Sequence, residues 1–190
     1  MNFIFYGNTG TGKTLSLIIM AEMIREMNKD KEMLIFTDID YKYKNYDLYE
    51  LYQPEFQTVE PYKLVLWDEV DKFTDSRNPT SKINKFLSYG LSLSRKTNMD
   101  FISSVQILSA VDKRIMLFTD FLISTNYDYE KSPEYIEWEI YNVNTNKSFS
   151  KIFKFDKNFT TLYHSKYLTL DMINQELKKF NRYVKNFGKE

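Results

Sequence analysis

The chain has 190 residues, of which 43% are hydrophobic and 27% are charged, and it contains 15 tyrosines and 15 phenylalanines. This composition predicts one globular domain over residues 1–190 and argues against intrinsic disorder. The 26 lysines and arginines balance the 26 aspartates and glutamates, which excludes an overall basic field for nucleic acid. The lack of cysteine excludes a disulfide framework and a thiolate metal site. We expect neither a signal peptide nor a membrane span, and therefore a cytoplasmic protein.

A glycine-rich segment near the start of the chain has the most specific pattern. Residues Gly7–Thr14, GNTGTGKT, have the form G-x-x-x-x-G-K-[ST] and contain three of the five glycines. A β-type run, Asn2–Tyr6, precedes this segment, and an apolar helical pattern from Lys13 to Asn28 follows it. Strand, glycine loop and helix together predict a phosphate-binding loop, in which backbone N–H groups and the helix N-terminus face the anion.

The residue types in this loop suggest individual roles. We predict that Lys13 reaches the β- and γ-phosphates of a nucleotide and that the Thr14 hydroxyl ligates Mg²⁺. The loop backbone supplies the remaining contacts to phosphate. The predicted nucleotide site therefore comprises Gly7, Asn8, Thr9, Gly10, Thr11, Gly12, Lys13 and Thr14.

An apolar run over Met33–Asp38 follows the first helix and is typical of a strand buried on both faces in a parallel sheet. Residues 39–60 are rich in tyrosine, lysine and aspartate. By default we expect a surface or subunit-contact loop there, with Tyr46–Tyr52 as a candidate for a short helix. The surroundings of Pro54 and Pro61 predict loops.

A second apolar strand, Lys63–Glu69, ends in two carboxylates. This is the Walker B pattern, in which an acidic residue at the strand end holds Mg²⁺ opposite the phosphate-binding loop. We assign the metal role to Asp68. We assign to Glu69 the role of general base, which orients and deprotonates the attacking water. Asp71 is a weaker candidate that we expect to face solvent, and the alternative for the whole segment is a strand running into a charged turn.

A helix is predicted from Thr80 to about Lys96, with an apolar stripe formed by Ile83, Phe86, Leu87 and Leu91. The strand predicted after it, Met99–Gln106, ends in a polar side chain. At the expected edge of the sheet, Gln106 can hydrogen-bond the γ-phosphate or the attacking water and so report the state of the nucleotide. The alternative is a glutamine that only ends the strand.

The C-terminal part of the chain has a different pattern. Met116–Ser124 predicts a further strand, and the alternating runs Tyr135–Asn142 and Ser148–Asp156 predict a β-hairpin. His164, the one histidine of the sequence, has no ligand-type neighbours along the chain and is assigned a structural or exposed position.

Apolar residues at three- and four-residue steps predict a final helix with one apolar seam: Leu170, Ile173, Leu177, Phe180, Val184 and Phe187. Its outer face is basic, with Lys178, Lys179, Arg182, Lys185 and Lys189. That face can contact DNA phosphates, and the alternative is an ordinary solvated face.

The order of these segments resembles that of the additional-strand P-loop ATPases, and within them the FtsK/HerA group. The residues that carry the resemblance are Gly7–Thr14, Leu64–Glu69 and the run from Ser94-Arg95-Lys96 through Asp100-Phe101-Ile102 to Gln106. Val111–Ile115 is similar to the segment that follows the glutamine in that group. The group includes DNA-packaging ATPases of archaeal and internal-membrane viruses and filamentous-phage assembly proteins of the zonula occludens toxin type.

The resemblance implies an α/β fold of the RecA-like P-loop NTPase type, with a mainly parallel central sheet flanked by helices and a catalytic glutamate. It also implies ATP and Mg²⁺ as cofactors. The match covers roughly residues 1–125, which form the nucleotide-binding core. Residues 126–190 then supply a β-hairpin and a C-terminal helix packed on that core.

The resemblance further implies a ring, usually a hexamer, in which an arginine of the neighbouring subunit lies beside the transferring phosphoryl group. Arg95 is the first candidate, and Arg114 and Arg77 follow, each with a solvated surface arginine as the alternative. Assembly toxins of this group usually carry a transmembrane segment and an extra domain, which we expect this chain to lack. The implied function is an ATP-driven translocase of double-stranded DNA. A viral packaging ATPase of this kind would work with capsid or portal components in the host cytoplasm or at the virion.

Two other functions are compatible with the sequence. A nucleoside or nucleotide kinase also combines a P-loop with an Asp-Glu strand. Thymidine kinases, however, commonly add a cysteine-ligated zinc, and this sequence contains no cysteine and no recognisable acceptor motif. An ATP-dependent virion or filament assembly protein would use the same site without moving DNA.

Overall fold

The computed structural model describes residues 1–43, 45–72, 88–92, 94, 96–155 and 163–164. The strands within them are β1 (Asn2–Tyr6), β2 (Met33–Thr37), β3 (Asp40–Tyr41), β4 (Tyr62–Trp67), β5 (Met99–Val105), β6 (Phe121–Asn126), β7 (Tyr135–Asn142), β8 (Lys147–Lys154) and β9 (Tyr163–His164). Two α-helices are α1 (Lys13–Met27) and α2 (Lys113–Leu117), and residues 88–92 are also helical. Short 3₁₀ turns lie at Leu48–Tyr52, Pro54–Phe56, Val70–Lys72 and Leu108–Ala110.

The described strands form a seven-stranded sheet in the order β2-β4-β5-β1-β6-β7-β8, while β3 pairs with β9. The first five strands of that order are parallel, and β7 and β8 are antiparallel. Strand β5 lies between β1, which leads into the glycine loop, and β4, which leads into the two carboxylates. This order confirms the predicted α/β fold with a mainly parallel sheet and an additional strand.

Two apolar cores cover the two faces of this sheet. Phe3 and Phe5 of β1 pack with Leu17 and Ile18 of α1, whereas Ile4 belongs to the core on the opposite face. A strand that is buried on both sides needs apolar residues at every position, which explains the continuous apolar runs of the sequence. Packing on both faces fixes the carboxyl edge of the parallel strands, where the candidate site lies.

The predicted β-hairpin is confirmed as β7 and β8, and it continues the central sheet instead of packing beside it. Strand β7 pairs with β6 through partners such as Ile140 and Ile123, and β8 pairs with β7. The Trp138 side chain of β7 is 1% exposed, and its Nε1 donates a hydrogen bond of 2.8 Å to the Ser16 hydroxyl of α1. The hairpin is therefore anchored to the helix that follows the glycine loop.

The prediction of a strand over Met116–Ser124 is wrong for the first half of that segment. Residues up to Leu117 belong to helix α2, and β6 begins at Phe121. The helical turn places Ile115 and Met116 against the core on the face opposite α1. Just before β6, the Asp120 carboxylate accepts a hydrogen bond of 2.8 Å from the Asn2 N–H. A short apolar run does not distinguish a helical turn from a strand.

The segment before β4 is more buried than a surface loop. Leu48, Tyr49, Leu51 and Tyr52 of the 3₁₀ turn at Leu48–Tyr52 are all buried. The rings of Tyr46 and Phe56 pack against Phe36 of β2. The expected short helix is thus present as a 3₁₀ turn, and the default of a surface loop is wrong for this part because the segment covers one end of the sheet.

Several predicted features fall wholly or partly outside the described residues. The helix predicted over 80–96 is seen at residues 88–92, where Leu91 is buried, and the basic C-terminal helix lies outside the described part of the chain. The backbone of His164 pairs with Asp40 between β9 and β3. Within the described residues, no helix combines the length and apolarity needed to cross a bilayer.

We predict that the Trp138–Ser16 hydrogen bond couples the hairpin to α1. Trp138→Phe and Ser16→Ala should each lower the free energy of unfolding by about 1–3 kcal/mol, because each leaves a buried polar group without its partner. The double variant should cost about 1 kcal/mol less than the sum of the single variants. Urea unfolding followed by far-ultraviolet circular dichroism measures all three values, and additive losses would contradict the coupling.

Candidate nucleotide-binding site

The glycine loop runs from the end of β1 to the start of α1, at the carboxyl edge of the parallel strands. Gly10 and Gly12 both have a φ of 84°, in the left-handed region that residues with a side chain rarely adopt. The Gly12 carbonyl accepts the N–H of Ser16 at 2.8 Å, which begins the helix. The loop thus turns directly into a helix N-terminus, as an anion-binding loop requires.

Lys13 lies inside the curve of this loop. The side chain is 7% exposed, and its Nζ donates hydrogen bonds of 2.9 Å to the carbonyl oxygens of Gly7 and Asn8. Burial lowers the pKa of Lys13, and the nearby charges of Asp68 and Glu69 oppose that shift. The ammonium group is therefore placed where the loop backbone converges, within the field of the acidic strand end.

The loop also contacts the end of β6. The hydroxyl oxygens of Thr11 and Thr125 are 3.0 Å apart, and the Thr11 hydroxyl donates a hydrogen bond of 2.9 Å to the Asn8 carbonyl. A Cβ atom placed on Gly12 would lie 2.8 Å from both Tyr127 Cβ and Ile136 Cδ1. The sequence did not predict this wall beside the loop, because nothing local links residues so far apart in the chain.

The predicted metal ligands are in direct contact. The Thr14 hydroxyl donates to the Asp68 carboxylate at 2.7 Å, and the second carboxylate oxygen of Asp68 accepts from Ser104. Burial raises the pKa of Asp68 above its ordinary value, although the hydrogen bonds from Ser104 and Thr14 oppose the shift. The carboxylate is thus a buried acceptor that a cation would stabilise.

These oxygen donors fit Mg²⁺. Mg²⁺ prefers hard oxygen ligands, which the Thr14 hydroxyl and the Asp68 carboxylate would supply. The Thr14 and Asp68 oxygens are 2.7 Å apart. Within the described residues no group of three or more histidine, cysteine or acidic side chains is placed to hold a metal. Mg²⁺ here would depend on phosphate and water for its other ligands.

Glu69 follows Asp68 and has a φ of 49°, which turns the chain out of β4. One carboxylate oxygen is paired with Lys72, and the other accepts a bond of 2.9 Å from Nε2 of Gln106. Burial raises the pKa of Glu69, but the hydrogen bonds from Lys72 and Gln106 and the charge of Lys72 together lower it by more, so the net shift is downward. The carboxylate is therefore ionised and oriented by two partners.

Asp71 does not face solvent as expected. Its Oδ2 accepts the backbone N–H groups of Gln106 at 2.8 Å and of Ile107 at 3.4 Å. The contact fixes the chain at the end of β5, so that the Gln106 amide points at Glu69. Asp71 therefore acts as a support for the predicted sensor residue.

Two residues of the site were missed by sequence reasoning. The Ser104 hydroxyl accepts the Glu69 N–H at 2.8 Å in addition to donating to Asp68. The Asp38 carboxylate, which follows β2, accepts the Asp68 N–H at 3.1 Å. The polar Ser103-Ser104 pair in an apolar strand, and an acid at a strand end, were the available signals.

The structure thus brings together the predicted residues Lys13, Thr14, Asp68, Glu69 and Gln106 at one edge of the sheet. The side-chain positions of the three arginines predicted to reach a neighbouring subunit's nucleotide are not described by the structure. Arg95 and Arg77 lie outside the described residues, and the side chain of Arg114 in α2 is outside them as well.

No protein-family model matches the sequence, and no curated protein matches it significantly. Solved structures do. The N-terminal domain of zonular occludens toxin from Neisseria meningitidis matches with a TM-score of 0.64 and 19% identity, covering 86% of this chain and 98% of that one. The genome packaging NTPase B204 from Sulfolobus turreted icosahedral virus 2, in complex with ATP-gammaS, matches with a TM-score of 0.53 and 13% identity, covering 81% and 97%.

A third similar structure is the cytoplasmic domain of the type VII secretion ATPase EccC from Thermomonospora curvata. Its TM-score is 0.56 at 9% identity, and the match covers 82% of this chain but 24% of that one. At these identities the similarity establishes the fold. The chain has the RecA-like P-loop NTPase fold that the sequence resemblance implied.

We predict that the wall beside the loop makes Gly12 the less replaceable of two glycines with the same backbone conformation. Gly10→Ala should lower the free energy of unfolding by about 1–2 kcal/mol, which is the backbone strain of a left-handed alanine. No steric cost adds to this strain, because nothing lies within 4 Å of a Cβ placed on Gly10. Gly12→Ala should cost about 1–3 kcal/mol more, because its Cβ also overlaps Tyr127 and Ile136. Urea unfolding compares the two variants, and an equal loss of unfolding free energy would contradict a steric contribution from Tyr127 and Ile136.

Proposed function

We propose that the protein is a Mg²⁺-dependent ATPase. The observation that carries this proposal is the placement of Lys13, Thr14, Asp68 and Glu69 around one glycine loop at the carboxyl edge of a parallel sheet. In sheets of this kind ligands bind outside the carboxyl ends of the strands. The side chains there match the charges of a nucleoside triphosphate: an ammonium for phosphate, and an oxygen pair for a divalent cation.

The binding half of the site would use the loop and the start of α1. Backbone N–H groups of Gly7–Thr14 and the helix N-terminus face the phosphates, and Lys13 exchanges its bonds to the Gly7 and Asn8 carbonyls for bonds to phosphate oxygens. Thr14 and Asp68 would hold Mg²⁺. The ion, when bound, neutralises charge that develops on the transferring phosphoryl group.

The hydrolytic half would use Glu69 as general base, positioned by Gln106. A carboxylate that orients a water molecule and takes its proton typically contributes 10²- to 10⁴-fold to the rate. The 2.9 Å bond from Gln106 to Glu69 links the end of β5 to this base. A change at Gln106 on contact with the γ-phosphate would therefore reach Glu69 directly.

The cellular role we propose is a ring-shaped motor on double-stranded DNA, most simply a viral genome-packaging ATPase acting in the host cytoplasm or at the virion with capsid or portal components. The similar fold of a genome packaging NTPase and the order of sequence motifs support this role. In such a ring, Arg95, Arg114 or Arg77 would reach the nucleotide of the neighbouring subunit. The arginine would stabilise charge on the phosphoryl group.

A second role is an ATP-dependent assembly protein of a virion or filament that moves no DNA. The higher TM-score of 0.64 with the zonular occludens toxin domain favours it, because the sequence resemblance includes assembly proteins of that type. Both roles use the same nucleotide site. They differ in whether DNA alters the hydrolysis rate.

Two substitutions test the site itself. We predict that Lys13→Ala abolishes nucleotide binding or turnover, because it removes the cation within the loop. Glu69→Gln should keep nucleotide binding and lower hydrolysis about 10²- to 10⁴-fold, because an amide cannot take the proton from water. Binding of a fluorescent ATP analogue and release of phosphate measure the two properties.

The matched controls for these variants are Lys31→Ala and Glu32→Gln, two exposed residues between α1 and β2. Both should bind and hydrolyse ATP as the wild type does. Normal hydrolysis by Glu69→Gln would remove Glu69 from its assigned role.

The motor role predicts ATP hydrolysis without any acceptor, a higher rate with double-stranded DNA, and a ring. Phosphate release is measured with ATP alone, with added DNA and with added thymidine, and gel filtration with ATP and DNA reports the assembly. Hydrolysis that DNA does not change, in a ring, would support the assembly role instead. Turnover only with the nucleoside would indicate a kinase, and a monomer under all conditions would make an arginine from a neighbouring subunit untenable.

A further inference from the structure

The loop that follows β6 lies beside the phosphate-binding loop, and the proposed ATPase site does not use it. Its first residue, Tyr127, packs against Gly12: a Cβ on that glycine would lie 2.8 Å from Tyr127 Cβ. The Thr11–Thr125 contact of 3.0 Å joins the two segments again two residues before Tyr127, within β6. The end of β6 therefore forms one side of the glycine loop.

The opposite side of the loop carries the acidic groups. The sheet order β4-β5-β1-β6 places Asp68 and Glu69, which follow β4, on one side of β1 and Tyr127, which follows β6, on the other. Thr14 contacts Asp68, so Mg²⁺ and the terminal phosphate belong on the β4 side. A nucleotide whose phosphate chain passes Lys13 from that side must direct its nucleoside toward β6.

An aromatic pair, Tyr127 and Tyr129, lies in the loop that follows β6. The rings of Tyr127 and Tyr129 are 6.4 Å apart in an edge-to-face arrangement, and Tyr129 is 73% exposed. The Tyr127 ring packs against Phe155, with the ring centroids 5.9 Å apart, and its hydroxyl donates a hydrogen bond of 3.2 Å to the Pro133 carbonyl.

The backbone around Tyr129 is also fixed. The Asp128 carboxylate accepts the N–H groups of Glu130 at 3.1 Å and Lys131 at 3.0 Å, and the Ser132 N–H bonds to the Asp128 carbonyl at 2.9 Å. A turn that is hydrogen-bonded in this way loses little backbone freedom when a flat ligand stacks on the exposed ring.

We infer that Tyr129, supported by Tyr127, is the stacking surface for the base of a bound nucleoside triphosphate. This inference rests on the proposed nucleotide site and adds the residue that recognises the base. A π-face stacks on any base, so the surface favours a nucleotide over bare phosphate without distinguishing ATP from GTP. The choice between bases, where it exists, belongs to other groups.

The test compares ATP, GTP and inorganic tripolyphosphate by isothermal titration calorimetry. Tyr129→Ala should weaken the binding of ATP and GTP by a similar factor of about 5- to 150-fold, the range for loss of one base–aromatic stack, and leave the binding of tripolyphosphate unchanged. Tyr129→Phe keeps the ring and should bind all three ligands as the wild type does. Tyr89→Ala removes an exposed tyrosine, 49% exposed, from the helical residues 88–92 and serves as the matched control.

Wild-type affinity of Tyr129→Ala for ATP would overturn the inference, and so would an equal loss for all three ligands, which indicates damage to the phosphate loop. Failure of the wild type to bind either tripolyphosphate or ATP would instead remove the proposed nucleotide site and the inference with it. As an independent readout, the fluorescence of a Tyr129→Trp variant should change with ATP and not with tripolyphosphate. No change with ATP would contradict stacking at this residue.

Discussion

One buried hydroxyl, that of Ser104 on β5, connects the parts of the site. It donates to the Asp68 carboxylate and accepts the Glu69 N–H, and Asp68 in turn accepts from Thr14 at the start of α1. These contacts exist because β5 is inserted between β1 and β4. The additional strand, β5, places the Ser104 hydroxyl between the glycine loop after β1 and the acidic residues after β4. The width of β5 therefore sets the distance between the loop and those residues.

The site also shows how a folded protein can keep charged groups buried. An unpaired buried charge is costly, so Lys13 donates to two loop carbonyls and the Asp68 carboxylate accepts from Thr14 and Ser104. In the proposed function, a triphosphate and its cation would offer the same groups stronger, ionic partners. Binding of such a ligand would then exchange one set of contacts for another and would require little rearrangement of the strands.

Local patterns predicted most of the fold and the main side chains of the site. Apolar runs located β1, β2, β4 and β5, alternation located β7 and β8, and glycine spacing located the loop. Errors occurred where one local pattern fits two structures. The apolar run at Met116 is a helical turn before β6, and Asp71 supports Gln106 although a charged turn residue usually faces solvent. The burial of Tyr49 and Tyr52 depends on packing against the rest of the sheet.

The sequence by itself determined the glycine loop and its proposed role, because glycine at left-handed positions followed by lysine and threonine matches what the backbone and a phosphate ligand require. It also determined that carboxylates follow a buried strand. Only the tertiary structure decided that β5 separates β1 from β4, that Ser104 and Asp38 hold the Asp68 turn, and that Tyr127 lies against Gly12. Those features join residues distant in sequence. Their pairing is selected by the burial of both sheet faces together, which no local segment encodes.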